Sequence, residues 1–240
     1  MTAVDDDPGT RRHMLQELGF TVRSEGENLT GTAEILREML VPGTDHLRTS
    51  ILAMWTDTLS GLLAARTVAP AVPVTVELDV HLYRPLPSTG PVRAVGRSLR
   101  QGRTLSVAEV RFATDDGEPL AVGGGSFVTS PDPSVRLPSN LSIGEDPPIG
   151  ARLTMPLAER AGCERRSPGV AVLRRSEDGL NSARTVNGGL ISLAAEEAVL
   201  GLAPGRTLCS LGLRYLHPVR VGPVVAEATQ LGDLARVELR

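Results

Sequence analysis

Apolar positions recur along the chain at two spacings, and the spacing separates predicted strands from predicted helices. Over residues 74–83, apolar side chains occupy every second position, which predicts a half-buried strand. Residues 47–66 and 188–203 are instead apolar over most of the helical circumference, which predicts two buried helices. Asp57 and Glu196 lie within these helices, and a carboxylate on a buried helix needs a functional or structural reason.

The same pattern predicts an antiparallel sheet around the first helix. Apolar residues alternate on both sides of a polar turn at residues 25–28, which predicts a hairpin, and residues 13–20 predict a short helix or strand before it. Further strands are predicted near residues 91–100, 104–113 and 119–129. The first half is therefore expected to be strand, strand, helix and a four-strand meander, which is an α+β arrangement.

A second copy of this arrangement follows in the sequence. Residues 48–65 align with residues 187–204 at a constant offset. The match continues downstream with Gly90-Pro91-Val92 against Gly222-Pro223-Val224, and with residues 109–111 against residues 238–240. Several matches in one order indicate a tandem duplication. The alignment places Thr49 and Ser50 opposite Gly188 and Gly189, and Asp57 opposite Glu196.

The duplication divides the chain into four parts. We expect a flexible tail at residues 1–12, a first unit at 13–129, a Pro-rich linker at 130–152 and a second unit at 153–240. Strands in the second unit are predicted near residues 153–164, 169–177, 206–217 and 222–231. This unit has no counterpart of residues 112–129, so either its sheet lacks the final strand or the sequence is cut short.

Composition and charge exclude several classes of partner. The 240 residues are 41% hydrophobic, and a net charge of -3 gives no global attraction to nucleic acid or to an anionic membrane. All basic residues are Arg, and the two cysteines have no metal-binding spacing. The start of the chain lacks the basic and apolar regions of a signal peptide, so a cytoplasmic location is expected.

The candidate chemistry begins at Asn187-Gly188-Gly189, which opens the second predicted helix. Free N–H groups and the positive end of the helix dipole favour a carbonyl oxygen or an anion at such a start. Glu196 is eight residues further along, about 12 Å along the axis at ~1.5 Å per residue, which is too far to act on the same carbon atom. The acid for this site must therefore come from a second helix.

These motifs resemble the hotdog fold, and within it the acyl-CoA thioesterases of the phenylacetate-pathway and hydroxybenzoyl-CoA type. The family pattern is Asn, five spacers, His-Gly-Gly and then an acid; here Asn181, Asn187-Gly188-Gly189 and Glu196 occupy it, with Asn in place of the family's His. In the first copy, Asp57 is followed by Thr58, as is common in the family, whereas Thr49 and Ser50 replace the glycines. The resemblance covers residues 18–240.

The resemblance implies a tandem double hotdog, each unit an antiparallel sheet wrapped around one long helix. In the family, each active site takes an amide from one helix and a carboxylate from the other. We define site one as the Gly188 and Gly189 amides with Asp57, and site two as the Thr49 and Ser50 amides with Glu196. Glycine permits close approach to the backbone, so site one is expected to be the active one, although the Ser50 hydroxyl could donate to an oxyanion in site two.

The resemblance also implies the reaction, which is hydrolysis of an acyl-CoA thioester to a free acid and coenzyme A without a metal or cofactor. Asp57 would act as general base or as nucleophile. Asn181, Asn187, Thr58 and Ser50 are the predicted substrate-binding residues, and a dimer of double hotdogs is the expected assembly. Two alternatives remain open: a non-catalytic acyl-CoA or fatty-acyl binding protein, and a hotdog hydratase.

Several of these residues also have a purely structural interpretation. Gly188-Gly189 could be only a tight turn before a helix, and Glu197 could be an exposed residue or an ion-pair partner. Gly123-Gly124-Gly125 lies in a predicted strand with no helix after it, which favours a bulge or a close contact between the sheet and another backbone over a phosphate-binding loop. The four histidines are scattered, so a metal site is not expected. Arg97, Arg100 and Arg103 could contact the phosphates of coenzyme A or simply surround a solvated turn.

Overall fold

The computed structural model describes residues 13–102, 104–137 and 152–240, so the predicted tail and most of the predicted linker, together with Arg103, lie outside the described residues. The fold is mixed α/β with antiparallel sheets. Its α-helices are α1 (Thr49–Val68), the short α2 (Leu157–Arg160) and α3 (Gly188–Leu202), and a 3-10 helix spans Met14–Leu18. Its strands are β1 (Thr21–Glu25), β2 (Asn28–Glu34), β3 (Pro73–Leu82), β4 (Pro91–Gln101), β5 (Ser106–Thr114), β6 (Pro119–Thr129), β7 (Cys163–Ser167), β8 (Val170–Leu173), β9 (Ser210–Arg214), β10 (Val224–Leu231) and β11 (Leu234–Leu239).

The strands form two antiparallel sheets. One has seven strands in the order β1-β2-β4-β5-β6-β3-β9, and the other has four in the order β11-β10-β8-β7. Strand β9 comes from the second half of the chain, yet it pairs with β3 of the first half, from Glu77 opposite Arg214 to His81 opposite Ser210. The two halves are therefore joined by main-chain hydrogen bonds as well as by side-chain packing.

Helix α1 packs against the larger sheet and is buried around most of its circumference, because nearly every side of it carries apolar or small residues. Gly123 and Gly125 of β6 let the helix approach the sheet closely: a Cβ atom at these positions would lie 2.2 Å from Thr56 Oγ1 and 2.4 Å from Ser60 Oγ, closer than any real contact. The predicted glycine-mediated packing is confirmed, and it places a strand within van der Waals reach of the helix. The large buried side chains of α1 are Ile51, Leu52, Met54, Trp55, Leu59 and Leu63.

Strand pairing preserves the order of the repeat but corrects one of its predicted matches. Ala94 of β4 lies opposite Phe112 of β5, and Ala226 of β10 lies opposite Leu239 of β11. Since Val92 corresponds to Val224, Leu239 occupies the place of Phe112 and not, as the sequence match suggested, that of Val110. The short charged motif shared by the two segments had set the alignment two residues out of register.

Predicted boundaries fail mainly in the second half. The strand expected near residues 153–164 is instead helix α2 followed by β7, since Pro156 precedes a run of good helix formers and Gly162, with φ 64°, ends it. The strand expected near 169–177 stops at Leu173, and residues 177–179 form a single 3-10 turn. The strand expected near 206–217 is confined to residues 210–214.

A buried contact and a charged cluster hold the halves together. Helices α1 and α3 pack against each other. Arg160 of the second half donates to both carboxylate oxygens of Glu17 in the first half, at 2.8 and 2.5 Å, and to Asp178 at 2.8 Å. In the part of the chain that the structure describes, no helix has both the length and the hydropathy needed to span a bilayer.

Candidate active site at two helix starts

Helix α3 begins with one amide already capped and one left open. Asn187 is extended and its side-chain Oδ1 accepts from the Gly189 N–H at 2.8 Å, which is a standard N-cap. Across residues 13–102, 104–137 and 152–240, the Gly188 N–H donates no hydrogen bond. The start of α3 therefore offers one directed donor, backed by the helix dipole.

Asn181 builds the loop that leads to this start. Its Oδ1 accepts from the Ala183 and Thr185 N–H groups at 3.0 and 3.1 Å, and Leu180 bridges to Val186 across the loop. An Asx turn of this kind fixes the path of the chain between the two ends of the bridge. Asn181 thus orders the approach to Asn187 from within the loop.

Asp57 reaches this helix start from the neighbouring helix. A Cβ atom built on Gly188 would lie 3.5 Å from Asp57 Oδ2 and 3.2 Å from both Cζ and the hydroxyl of Tyr215. The other carboxylate oxygen, Oδ1, accepts from the Thr75 hydroxyl at 2.8 Å. Thr75 therefore anchors one oxygen of Asp57, while the other oxygen faces Gly188.

The surroundings of Asp57 change its protonation. Burial raises the pKa of Asp57 to about 6, and the Thr75 hydrogen bond opposes that rise only in part. Burial, with the nearby Asp57 charge, also raises the pKa of Tyr215 well above its ordinary value, so the phenol stays protonated. A carboxylate whose pKa lies near neutrality can take up a proton from water and release it again, which suits a general base.

At the start of α1, the corresponding space is filled by the protein itself. Glu196 is 1% exposed, and its Oε1 accepts from the Thr49 and Ser50 N–H groups at 2.8 and 3.3 Å. Its Oε2 accepts from the Ser50 hydroxyl at 2.7 Å and from Arg48 at 3.2 Å. The carboxylate thus engages the very amides that site two would offer to a ligand.

A buried cation completes this closed cluster. Arg48 is fully buried and contacts Glu196 at 3.2 Å and Glu197 at 2.6 Å, while Arg165 contacts Glu197 at 2.6 Å from the other side. Burial by itself would lower the pKa of Arg48, but the two carboxylates raise it. The ion-pair interpretation of Glu197 is therefore confirmed, and the exposed alternative is wrong because Glu197 is 4% exposed.

The predicted site residues thus fall into two groups. The structure brings together Asp57, Gly188 and the loop ordered by Asn181 and Asn187 at one helix start. It brings together Ser50 and Glu196 at the other, where both are buried. Thr58 lies one residue after Asp57, but its hydroxyl donates to the Met54 carbonyl at 2.8 Å within α1.

Three residues that matter here were missed by sequence reasoning: Tyr215, Thr75 and Arg48. The repeat could have indicated two of them. Arg48 and Asn187 are aligned, each just before its helix. The presence of a guanidinium in place of an amide could have indicated that the start of α1 is closed. Tyr215 aligns with Leu82, which marks a hydroxyl present in one copy alone. Nothing in the local sequence singles out Thr75.

Elsewhere in the described residues, we compared three features with this site: metal-binding clusters, a surface groove and Arg97. Among the described residues, no group of three His, Cys, Asp or Glu side chains is arranged to hold a metal ion. A surface groove of about 390 Å³ on β1, β2 and β4 includes Arg23, Glu25 and Arg93 and none of the predicted site residues. Arg97, one of the arginines suggested for coenzyme A phosphates, donates to Glu109 at 3.1 Å.

In this antiparallel α/β fold, an acid on one helix faces the amino end of another helix, which is an arrangement of acid and amide donor suited to acting on a carbonyl group. The thioesterase superfamily model matches residues 49–121, from the start of α1 into β6, which is less than a third of the chain. That part of the chain is therefore similar to the thioesterase superfamily. No curated protein matches the chain significantly.

Solved structures with similarity to this chain cover about half of it. A mutant thioesterase from Pseudomonas aeruginosa is 24% identical over 48% of this chain and 84% of its own, with a TM-score of 0.45. A thioesterase from Haemophilus influenzae is 17% identical over 48% of this chain and 81% of its own, with a TM-score of 0.45. A Streptococcus mutans protein bound to acetyl-CoA is 17% identical over 54% of this chain and 93% of its own, with a TM-score of 0.42. Similarity of this degree does not by itself assign an activity.

Proposed function

We propose that this protein hydrolyses thioesters, and specifically acyl-CoA thioesters, at site one. The observation that carries the proposal is the position of Asp57 Oδ2 beside Gly188, whose N–H group is open at the start of α3. A hydrolase needs a donor for the developing oxyanion and a base or nucleophile on the other side of the carbonyl carbon. The match of residues 49–121 to the thioesterase superfamily supports the choice of a thioester as substrate.

In the proposed reaction, the thioester carbonyl oxygen accepts from the Gly188 N–H. Asp57 takes a proton from water, and the water oxygen attacks the carbonyl carbon to give a tetrahedral oxyanion. The oxyanion collapses, the carbon–sulfur bond breaks and coenzyme A leaves as a thiol after receiving the proton. Alternatively, Asp57 Oδ2 attacks the carbonyl carbon directly, and water then hydrolyses the resulting mixed anhydride. Acid quenching during turnover followed by mass spectrometry of the protein separates the two routes, because only the anhydride route attaches the acyl group covalently to Asp57.

We assign site two a structural role. Glu196 already occupies the amides of Thr49 and Ser50, and removing it from them would leave Arg48 buried without its partner. Breaking a buried pair of this kind costs about 3–5 kcal/mol, more than a weak substrate contact returns. Ser50 is therefore proposed to bind Glu196 and not a substrate.

We further propose that the chain is a double hotdog, with units at residues 13–129 and 153–240 joined by a linker at 130–152. The strand orders support this division, because β1-β2-β4-β5 of the first unit parallels β7-β8-β10-β11 of the second. In this architecture, β3 and β9 meet at the junction, and each helix lies against its own sheet. Assembly into a dimer of double hotdogs and a cytoplasmic location remain predictions.

One observation favours the second candidate, a non-catalytic acyl-CoA binding protein. The Gly189 N–H is already bound by Asn187, so the start of α3 offers one donor to an oxyanion where catalysts often use two. Such a protein would bind the thioester carbonyl at Gly188 without turning it over. A hydratase has less support, because within the described residues the hydrogen bond to Asp57 comes from Thr75 and not from a histidine.

The deciding experiment incubates the protein with short, long and aromatic acyl-CoAs while trapping the released thiol. We expect release with at least one substrate, and we expect Asp57→Asn to abolish it. The matched control is Asp79→Asn, which changes a carboxylate on β3 that pairs with His81 outside the site. Tight binding without release from any substrate would favour the binding protein and would overturn the proposed hydrolysis.

A further inference from the structure

The contacts of Tyr215 go beyond what the proposed reaction uses. Tyr215 follows directly after β9, and its N–H donates to the Val76 carbonyl of β3 at 3.0 Å. The residue before Val76 is Thr75, whose hydroxyl holds Asp57. Thr75 and Val76, which are consecutive in β3, therefore hold Asp57 and Tyr215, so the strand fixes the position of one relative to the other.

The phenol also fixes the peptide next to the open amide. Tyr215 OH donates to the Gly188 carbonyl at 2.8 Å. That carbonyl belongs to the same peptide unit as the Gly189 N–H, which donates to Asn187 Oδ1 at 2.8 Å. The unit between Gly188 and Gly189 is thus held at both ends, which limits rotation about the Gly188 Cα and so limits the direction in which the Gly188 N–H can point.

The repeat supplies an internal comparison for this arrangement. Leu82 N–H donates to the Cys209 carbonyl at 2.8 Å, in the same way as Tyr215 N–H donates to Val76. Leu82 and Tyr215 therefore occupy equivalent places, and the hydroxyl exists only where the neighbouring helix start is open. At the closed start, Glu196 performs the fixing instead.

We propose that Tyr215 is a positioning residue, whose hydroxyl holds the Gly188–Gly189 peptide so that the Gly188 N–H is aimed at the thioester oxygen. The inference rests on the proposed hydrolysis. Its ring also lies against Gly188, 3.2 Å from where a Cβ would be, and so helps to keep water from Asp57. The hydroxyl and the ring thus have separate effects that separate substitutions can test.

The first test is Tyr215→Phe, which removes the hydroxyl and keeps the ring. We expect kcat with the best acyl-CoA to fall about tenfold, with KM within about twofold, because aiming a donor acts on the transition state more than on binding. The acidic limb of kcat/KM should stay where it is. The control is Tyr83→Phe, a tyrosine one residue beyond Leu82 that is 60% exposed, and it should behave as wild type.

Tyr215→Leu, which installs the residue found at the equivalent place in the first half, tests the ring. We expect the acidic limb of kcat/KM to move to lower pH than in the wild type, because water reaches the Asp57 carboxylate and weakens the burial that raises its pKa. An unchanged kcat in Tyr215→Phe, or a loss of stability without a loss of kcat, would overturn the proposal.

Hydrogen exchange at the Gly189 amide provides a readout that needs no turnover. We expect faster exchange in Tyr215→Phe than in the wild type or in Tyr83→Phe, because the peptide unit loses one of its two side-chain anchors. If the wild-type protein hydrolyses no acyl-CoA, the proposed function fails, and exchange still decides whether the hydroxyl fixes this peptide. If the wild type is active and Tyr215→Phe matches it in kcat or in exchange, only the role of Tyr215 is lost.

Discussion

The two long helices begin in the same way and treat their first amides differently. At the start of α1, the Glu196 carboxylate accepts from both Thr49 and Ser50. At the start of α3, the Asn187 side chain accepts from the Gly189 N–H, and within the described residues the Gly188 N–H donates no hydrogen bond. The unsatisfied donors of a helix start must find an acceptor. An internal carboxylate meets this requirement at the start of α1, and we propose that a ligand meets it at the start of α3.

The carboxylates near the two helix starts, Asp57 and Glu196, also differ in their surroundings. Asp57 touches a neutral hydroxyl and has a raised pKa, so its charge is costly and available for chemistry. Glu196 contacts Arg48 and is engaged by four donors, so its charge is compensated in place. One carboxylate is thereby suited to exchange protons with a substrate, and the other to hold two helices together.

The largest expected effect comes from Asp57→Asn. The substitution keeps the shape and removes the base, and general bases contribute about 10²- to 10⁴-fold. We therefore expect kcat for acyl-CoA hydrolysis to fall about 10³-fold while the protein stays folded, measured by thiol release with a circular dichroism check. A fall in kcat of less than about tenfold would contradict the proposal that Asp57 acts in catalysis and Glu196 does not.

Glu196→Ala should act on stability and leave the chemistry largely intact. It leaves Arg48 without one of its partners in a buried site, so the free energy of unfolding should fall by about 3–5 kcal/mol. Denaturant titration measures that change, and kcat should stay within about threefold for the folded fraction. If the alanine variant does not fold, Glu196→Gln keeps an acceptor for Thr49 and gives the same comparison. A greater loss of kcat here than in Asp57→Asn would reverse the assignment of the two sites.

Gly188→Ala tests the open helix start directly. Its methyl group would lie 3.2 Å from the Tyr215 ring and 3.5 Å from Asp57 Oδ2, inside the space proposed for the carbonyl. We expect kcat/KM to fall about 10- to 100-fold. Thr49→Gly is the matched control at the closed start. It should cost about 1 kcal/mol of stability, since glycine disfavours a helix and the 2.6 Å hydrogen bond to Leu208 is lost, without changing kcat. Equal effects on kcat would contradict the comparison.

The smallest effect concerns pH and stability. The folded pKa of Asp57, about 6, lies above its ordinary value of 3.8, so the folded protein binds more protons between these values. Wild-type stability should therefore fall as pH rises from about 4 to 6, and Asp57→Asn should not show this fall. We expect the variant to exceed the wild type by about 1–2 kcal/mol at pH 7.5, discounted because Asp57 is partly exposed, and to equal it near pH 4. An unchanged difference across this range would mean that burial does not perturb Asp57.

Much of the fold could be predicted because its patterns are local. The strict alternation in β3 and the apolar helices α1 and α3 fixed the main elements to within a few residues. The second half was harder, since β8 and β9 have only 4 and 5 residues, too few for a period to stand out. Its first predicted strand failed at Pro156 and Gly162, where backbone restrictions outweigh the apolar pattern.

The candidate site was predictable only in outline. Motif spacing and the repeat placed Asp57 with Gly188, and the requirement for an acid from a second helix followed from helix geometry alone. That Glu196 would close the other site depends on Arg48, 148 residues away in sequence, and contacts at that separation leave no periodic signal. The roles of Thr75 and Tyr215 depend on the pairing of β3 with β9, which only the folded chain specifies.

That pairing has a consequence for how this site can change over evolutionary time. In a symmetric homodimer, each substitution appears in every copy of the site at once. In the proposed tandem arrangement the chain carries both partners, so Arg48 could replace its Asn187 counterpart in one half without changing the other. The covalent connection also keeps Asp57 and Gly188 at a fixed effective concentration, and dilution cannot separate them. A tandem chain is therefore free to specialise one half for rigidity and the other for chemistry, which identical subunits cannot do.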